Sequence, residues 1–275
     1  MEIRTSLLLL DTRGKIYMSN IKEVFNHGKA FIPFVTAGDF GLDMTEKLLF
    51  AIQDNGADLI EVGIPFSDPT AEGPVIQEAS ERALKLGTTP QKIIEMVKHA
   101  RNNGLTVPLA FMTYANPVFT FGIENFAKEC VACGVSAVII PEIPYEEKHE
   151  MSDIFEKYDV DFISLIAPTS HDRIKMIASE ATGFVYCVSS MGVTGMRKQI
   201  TTNVGEMVKL VKQTKDIPCA IGFGVSTPEQ AKEMSKYADG VIIGSAIVNI
   251  VAQHGLDSIP YVSDFVKAVK TAITE

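Results

Sequence analysis

Short apolar runs rich in β-branched residues recur eight times along the chain, and each is followed by a stretch with helical spacing. The helical stretches place apolar residues at steps of three and four, as in DMTEKLLFAIQDNGA. Strands that alternate with helices predict a parallel sheet covered by helices. Eight such units in about 240 residues favour a closed (β/α)8 barrel of the α/β class over two open sheets. The predicted strands span residues 31–38, 58–65, 107–114, 136–141, 161–168, 183–189, 218–225 and 240–248.

Nothing in the sequence divides the chain into two domains. Its 275 residues are 46% hydrophobic, enough for one large core, and no linker rich in Ser, Pro or Gly interrupts the pattern. We therefore expect a single TIM-barrel domain over residues 18–275. The segment SNIKEVFNHGK predicts an extra N-terminal helix that closes the bottom of the barrel. Met18 could be an alternative start, so residues 1–17 are expected to be a disordered extension.

The charge and hydropathy of the chain argue against two classes of partner. Acidic residues outnumber basic ones by 34 to 25, the net charge is −9, and no Lys/Arg cluster offers the footprint that a nucleic acid requires. The apolar run in TSLLLLDT is shorter than the roughly 7–15 residues of a signal-peptide core, and no stretch approaches the ~18 apolar residues of a membrane span. We expect a cytoplasmic protein without membrane contact, in which a local positive site could still bind a small anion.

Four cysteines are present, and two of them form a C-x-x-C motif at Cys130 and Cys133. Such a motif can be redox-active or supply half of a zinc site. Here no second pair and no histidine lies at ligand spacing, and Cys187 and Cys219 sit in apolar runs. The pattern favours reduced thiols packed in or beside the core, with no bound metal.

An acidic residue interrupts the second predicted strand, in the segment LIEVGIPFSDPTAEGP (59–74). Because side chains alternate along a strand, Ile60, Val62 and Ile64 share the face that meets the surrounding helices, and Glu61 shares the interior face with Leu59. A carboxylate inside the barrel is costly unless its pKa rises, which suits a general acid/base. The alternative is an ion pair with an interior Lys or Arg, but the predicted strands contain neither.

Glycines at the ends of the seventh and eighth predicted strands supply a second signal. GFG closes the seventh strand at 222–224, and GSAIV continues the eighth at 244–248. The loops after these two strands, with the start of a short helix, are the usual phosphate site of such a barrel, because free backbone N–H groups face the anion. The alternative is that the glycines only permit tight turns.

The segment SSMGVTGMRKQ (189–199) follows the sixth predicted strand. It is small and polar, and Gly192 and Gly195 could act as hinges for a lid that closes over the site. An ordinary surface loop fits the same composition equally well.

Seven motifs together resemble the tryptophan synthase alpha chain family, in order and spacing, from about residue 20 to residue 250. They are FVTAGD, EVGIPFSDP, GPVIQ, MTYANPVF, GVTG, GFGVSTPEQ and GVIIGSAIV. The resemblance implies a lyase that cleaves indole-3-glycerol phosphate to indole and glyceraldehyde 3-phosphate by a retro-aldol reaction. It also implies an alpha2beta2 complex with a tryptophan synthase beta chain that receives the indole. The alpha chain would need no cofactor, since pyridoxal phosphate belongs to the beta chain.

The resemblance also implies a role for each of four acidic residues. Glu61 would be the acid/base that gives a proton to the indole ring and takes one from the glycerol hydroxyl, with Tyr186 beside it. Glu72 would hold the indole N–H, although most family members have Asp there, in a loop reading ADGP where this chain reads TAEGP. Glu142 likewise stands where the family usually has Asp, at the interface with the beta chain. Asp68 would order its loop and meet the beta chain.

The remaining assignments concern substrate binding. Phe34 and Tyr114 would line the indole pocket, and Thr194 would pack against the PFSDP loop on closure. The phosphate would lie on the N–H groups of four residues, with the hydroxyl of the last assisting: Gly195, Gly224, Gly244 and Ser245.

Two alternatives to a working alpha subunit stay open from the sequence. One is a stand-alone lyase that releases free indole. The other is a ligand-binding activator of the beta chain that catalyses poorly because of Glu72, although the retention of Glu61, Tyr186 and the phosphate glycines argues against it.

Overall fold

The computed structural model of the protein describes residues 9–10, 16–17, 21–188, 199–222 and 224–275. Eleven strands lie in these ranges. They are β1 (Leu9–Leu10), β2 (Ile16–Tyr17), β3 (Ala30–Thr36), β4 (Ile60–Gly63), β5 (Leu109–Met112), β6 (Ala137–Ile139), β7 (Asp161–Phe162), β8 (Ser164–Ile166), β9 (Val185–Val188), β10 (Cys219–Gly222) and β11 (Gly240–Ile243).

Nine of the strands form one parallel sheet in the order β7-β6-β5-β4-β3-β11-β10-β9-β8, while β1 and β2 pair with each other. The fifth predicted strand is divided at Ile163, since β7 pairs with β6 and β8 pairs with β9. The two ends of the sheet are thus consecutive pieces of one extended segment, and the sheet curves into a barrel. The predicted (β/α)8 barrel is confirmed, with one strand shared between two neighbours.

Eleven α-helices lie in the described part of the chain. They are α1 (Leu42–Asp54), α2 (Pro74–Lys85), α3 (Pro90–Asn102), α4 (Ala115–Phe121), α5 (Ile123–Ala132), α6 (His149–Lys157), α7 (His171–Glu180), α8 (Gln199–Thr214), α9 (Pro228–Ser235), α10 (Ser245–His254) and α11 (Ile259–Thr274). Local chemistry starts two of them in the same way. The hydroxyls of Thr89 and Thr227 accept hydrogen bonds from backbone N–H groups three residues on, and a proline occupies the first helical position.

The eighth predicted strand extends too far along the chain. The sequence predicts a strand up to residue 248, but β11 ends at Ile243 and residues 245–248 form the first turn of α10. A short apolar run does not reveal by periodicity whether it is strand or helix. The change of structure falls at Gly244, which is the N-cap of α10.

Alternation along the strands separates two apolar cores, as predicted. Ile60, Val62 and Ile64 pack in the outer core between barrel and helices, whereas Leu59 belongs to the inner core of the barrel. Phe184 and Tyr186 also lie in the inner core. Interior positions of the barrel can therefore be read from sequence parity alone.

The predicted N-terminal helix is present as a single 3-10 turn at Ile21–Phe25. Its Phe25 ring lies 5.5 Å from that of Phe184, which directly precedes β9, and a Cβ placed on Gly240, the first residue of β11, would lie 3.0 Å from Phe25. The turn thus closes the bottom of the barrel as expected, and it leaves the opposite end, where the strands finish, as the mouth.

Candidate active site

Glu61 lies in the middle of β4, with Phe34 of β3 and Ala110 of β5 as its register neighbours. The side chain is fully buried, and neither carboxylate oxygen has a hydrogen-bond partner among the described residues. Burial raises the pKa of Glu61 to about 8. A group that is protonated at neutral pH and can lose that proton at moderate cost is suited to both donate and accept.

Tyr186 of β9 reaches towards the same interior space. Burial and the charge of Glu61 both raise the pKa of its hydroxyl well above the usual range. The ring crosses in front of β10, since a Cβ placed on Gly222 would lie 2.6 Å from Tyr186 Cζ. Glycine is therefore the only residue type at position 222 that leaves the ring of Tyr186 in its present position.

Substitution of Gly222 by Ala is expected to destabilise the fold by about 1–3 kcal/mol, because the added methyl overpacks the interior against Tyr186. The midpoint of thermal unfolding should fall by roughly 2–8 °C. The matched control is Gly205→Ala on α8, whose Cβ would meet the ring of Tyr237, 38% exposed and free to turn into solvent. That control should keep the wild-type midpoint or raise it. Equal midpoints for both variants would refute the packing argument.

Glu72 lies on the wall of a cavity of about 520 Å³, a volume typical of sites for small organic ligands. Its side chain is half-buried, and burial raises the pKa of Glu72 to about 7. The cavity extends down to Leu165, the register partner of Tyr186, and to Val188 on the same interior face of β9. Glu61 is not among the residues that line this cavity.

Tyr114 positions the loop that carries Glu72. Its hydroxyl accepts a hydrogen bond from Ala71 N at 3.1 Å, and its ring lies 5.4 Å from that of Phe66. Burial and the charge of Glu72 raise the pKa of Tyr114 well above the usual range. The described contacts of Tyr114 are thus with the acid-bearing loop, and its place in an aromatic-binding pocket stays a prediction.

A half-buried ion pair that sequence reasoning missed lies between the loop after β3 and α2. Arg82 donates from Nε to Asp39 Oδ1 at 2.7 Å and from its second terminal nitrogen to Oδ2 at 2.9 Å. Asp39 is 3% exposed. Val75, Ile76 and Ala79 of α2 pack into the inner core, so the helix that follows Glu72 covers part of the mouth and is held there by this pair.

Two of the glycines predicted to bind phosphate lie at the ends of adjacent strands. Gly224 follows β10 and Gly244 follows β11, and these two strands are paired. Gly244, the N-cap of α10, has no side chain to cap the helix, so the first N–H groups of α10 and the positive end of its dipole lie at the end of β11 without a cap from that residue. Gly224 has φ +78° and open space at its Cβ position.

Phe34 lies between the acid and these glycines. A Cβ placed on Gly63 of β4 would lie 2.6 Å from Phe34 Cε2, and one on Gly244 would lie 3.3 Å from Phe34 Cδ1. The aromatic ring therefore spans from the strand that carries Glu61 towards the start of α10, and Gly63 makes the room for it.

Asp68 and Glu142 lie further out. Asp68 is exposed and accepts a hydrogen bond from Ser67 Oγ at 2.5 Å. Glu142 Oε1 accepts a hydrogen bond from Ala115 N, at the start of α4, the helix that carries the half-exposed Phe119. Thr194 and Gly195 lie outside the described residues, so their roles stay predictions.

Neither a metal centre nor a membrane segment is evident in the described ranges. Within them no group of three or more His, Cys, Asp or Glu side chains could hold a metal ion. The four cysteines are free and buried, and burial raises the pKa of the Cys130 and Cys133 thiols. No helix in the same ranges is long and apolar enough to cross a membrane.

Comparison with known proteins points to one family. The family profile described as "Tryptophan synthase alpha chain" matches residues 20–273. The tryptophan synthase alpha chain of Lacticaseibacillus casei is 44% identical over 256 residues, covering 93% of this chain and 96% of that protein. That of Shouchella clausii is 48% identical over 228 residues, covering 83% and 85%. A crystal structure of tryptophan synthase subunit alpha from Legionella pneumophila superposes with a TM-score of 0.84 at 32% identity, covering 93% and 98%.

Proposed function

The chain belongs to the tryptophan synthase alpha chain family, and from that premise we propose how its own residues cleave indole-3-glycerol phosphate. The observation that carries the proposal is Glu61, a fully buried interior carboxyl group without a hydrogen-bond partner among the described residues. Its burial and raised pKa are what a proton donor to a carbon atom requires.

Glu61 exchanges one proton in each direction. Its neutral carboxyl group protonates the indole carbon that bears the glycerol chain, which breaks the aromaticity of that ring and turns it into an electron sink. The carboxylate left behind accepts the proton of the adjacent hydroxyl as the carbon–carbon bond breaks. The bonding electrons restore the indole, the former hydroxyl carbon becomes the aldehyde of glyceraldehyde 3-phosphate, and Glu61 ends protonated again.

Glu72 stabilises the charge that builds on the ring. As a carboxylate it accepts a hydrogen bond from the indole N–H and lies close to the positive charge of the protonated ring. Its position on the cavity wall supports this role, and Tyr114 supports the loop. Glu72 is one methylene longer than the Asp usual in the family, so the loop backbone must lie correspondingly further from the ring.

The phosphate binds at the start of α10. We assign it to the N–H groups of Gly224, Gly244 and Ser245, where the open backbone of two adjacent strand ends supports the assignment, together with Gly195. Tyr186 borders the proton-transfer space, and Phe34 packs between the ring-binding and phosphate-binding parts of the site.

Members of this family work with a tryptophan synthase beta chain, which carries the pyridoxal phosphate, whereas the alpha chain carries no cofactor. For this chain we propose an alpha2beta2 complex in the cytoplasm, docked through the region of Asp68, Glu142 and the half-exposed Phe119. The stand-alone lyase and the weak activator are not favoured, because the family match covers nearly the whole chain.

The test is steady-state cleavage of indole-3-glycerol phosphate by the purified chain, with and without a beta chain, followed as glyceraldehyde 3-phosphate release. We expect measurable activity alone and a rise with the partner. High activity that is indifferent to the partner would indicate a free-standing lyase. Absence of cleavage under both conditions would refute the proposed function.

The dependence of kcat/KM on pH should be a narrow bell. Activity should rise as Glu72 ionises with a pKa of about 7 and fall as Glu61 loses its proton with a pKa of about 8. In the Glu72→Gln variant the remaining activity should lack the acidic limb that Glu72 causes, while the alkaline limb remains. If the variant and the wild type lost activity over the same acidic pH range, a group other than Glu72 would be responsible for that loss.

A further inference from the structure

Three buried side-chain oxygens lie on adjacent strands at the mouth of the barrel without hydrogen-bond partners among the described residues. They are Oε1 and Oε2 of Glu61 and the hydroxyl oxygen of Thr36, which is 4% exposed. A buried hydroxyl that makes no hydrogen bond costs about 1–3 kcal/mol, and one that faces the interior of the barrel can regain this energy by bonding a ligand there. Thr36 lies within the FVTAGD motif, but neither the site residues assigned from the sequence nor the mechanism above uses it.

Thr36 faces the interior of the barrel. Val35 and Ala37 pack in the outer core and Phe34 in the inner core, so alternation along β3 places the Thr36 side chain inside. Its register partner is Gly63, two residues beyond Glu61 on β4. Thr36 thus lies one layer closer to the mouth than Glu61, on the neighbouring strand.

The order of the strands matches the order of groups on the substrate. β3 lies between β4 and β11 in the sheet. β4 carries Glu61, which acts on the hydroxyl of the reacting carbon, and β11 leads to Gly244 and Ser245, where the phosphate is assigned. The substrate has one further hydroxyl, on the carbon between these two groups.

We propose that the Thr36 hydroxyl hydrogen-bonds the hydroxyl on the middle carbon of the glycerol phosphate chain, a contact that rests on the proposed function. The substrate then occupies the space that leaves Thr36 and Glu61 without partners. A site with a polar group placed to bond a substrate hydroxyl discriminates against analogues that lack this hydroxyl, because the polar group of the protein then stays buried and unpaired. Thr36 is therefore a specificity residue for the hydroxylated chain.

The test compares Thr36→Val, which keeps the shape and removes the hydroxyl, with Thr36→Ser, which keeps the hydroxyl. Two ligands are used: indole-3-glycerol phosphate, and indole-3-propanol phosphate, which lacks both chain hydroxyls. In Thr36→Val we expect kcat/KM for the substrate to fall about five- to tenfold. The Kd of the propanol analogue should stay within about twofold, and Thr36→Ser should recover most of the loss.

The matched control is Thr113→Val. Thr113 is equally buried, and its hydroxyl also lacks a partner among the described residues, but it follows Met112 of the inner core, so alternation turns it outwards. Thr113→Val should change neither kcat/KM for the substrate nor the Kd of the analogue. Unchanged kinetics in Thr36→Val, or equal weakening towards both ligands, would overturn the inference. If wild type did not cleave the substrate, the proposed function would fail. The role of Thr36 would then still be decided by binding: Thr36→Val should raise the Kd of indole-3-glycerol phosphate more than the Kd of indole-3-propanol phosphate.

Discussion

Replacement of Glu61 by Gln should lower kcat for cleavage of indole-3-glycerol phosphate by about 1,000-fold or more, the order that a positioned acid/base contributes. Glutamine fills the same interior volume but can neither protonate the ring carbon nor accept the hydroxyl proton. The measurement is glyceraldehyde 3-phosphate release at neutral pH, with binding of indole-3-propanol phosphate as the check on an intact site. A variant that binds the analogue and retains a tenth of wild-type kcat would remove Glu61 from the mechanism.

The same variant should change how stability depends on pH. Burial raises the pKa of Glu61 from 4.5 to about 8 in the folded protein, so between these values the folded state binds a proton that the unfolded state has lost. Stability therefore falls as pH rises through this window, by about 4 kcal/mol at pH 8. Glu61→Gln lacks this loss, so its unfolding midpoint should improve relative to wild type between pH 5 and pH 8. A constant difference between the two midpoints would contradict the raised pKa.

Replacement of Glu72 by Gln should lower kcat by roughly 100-fold, because the neutral amide no longer opposes the positive charge on the protonated ring. Glu72→Asp retains the charge but withdraws the carboxylate by one methylene. A displacement of about 1 Å can cost on the order of 100-fold in rate, so we expect a loss of about 10- to 100-fold. The loss would show that this loop has adapted to glutamate, whereas a gain would show that Glu72 limits the wild-type enzyme.

The control for Glu72→Gln is Glu78→Gln. Glu78 lies on α2, about one turn beyond its start, and is exposed. The substitution makes the same change in net charge without touching the cavity, so kcat should stay near the wild-type value. A similar loss in Glu78→Gln would attribute the effect of Glu72 to the overall field of the region rather than to contact with the indole ring.

Much of the barrel could be predicted from local sequence because each strand obeys a simple alternation. Alternation puts Glu61 on the same interior face as Leu59, and Tyr186 on the same interior face as Phe184. The ends of elements were less predictable. GSAIV has the composition of a strand, and only the packing of α10 against α2 and β3 decides that it is a helical turn.

Some contacts of the candidate site could not be predicted from the sequence, for a different reason. Leu165 could have been recognised as a cavity residue from its interior parity in DFISLIAP, but the Asp39–Arg82 pair joins residues 43 positions apart and has no local signature. The same is true of the hydrogen bond from Ala71 to Tyr114, again 43 positions apart. Such contacts exist only once the barrel brings distant loops to one end.

The sequence by itself determined the barrel, the family, and which side chains point inwards, because period-two alternation and motif order are properties of the chain. The tertiary structure alone decided the electrostatics. Burial raises the pKa of Glu61 to about 8 and that of Glu72 to about 7, because the folded chain excludes water from the two carboxyl groups to different degrees. Desolvation depends on every neighbour that closes around a carboxylate, and those neighbours come from all parts of the chain.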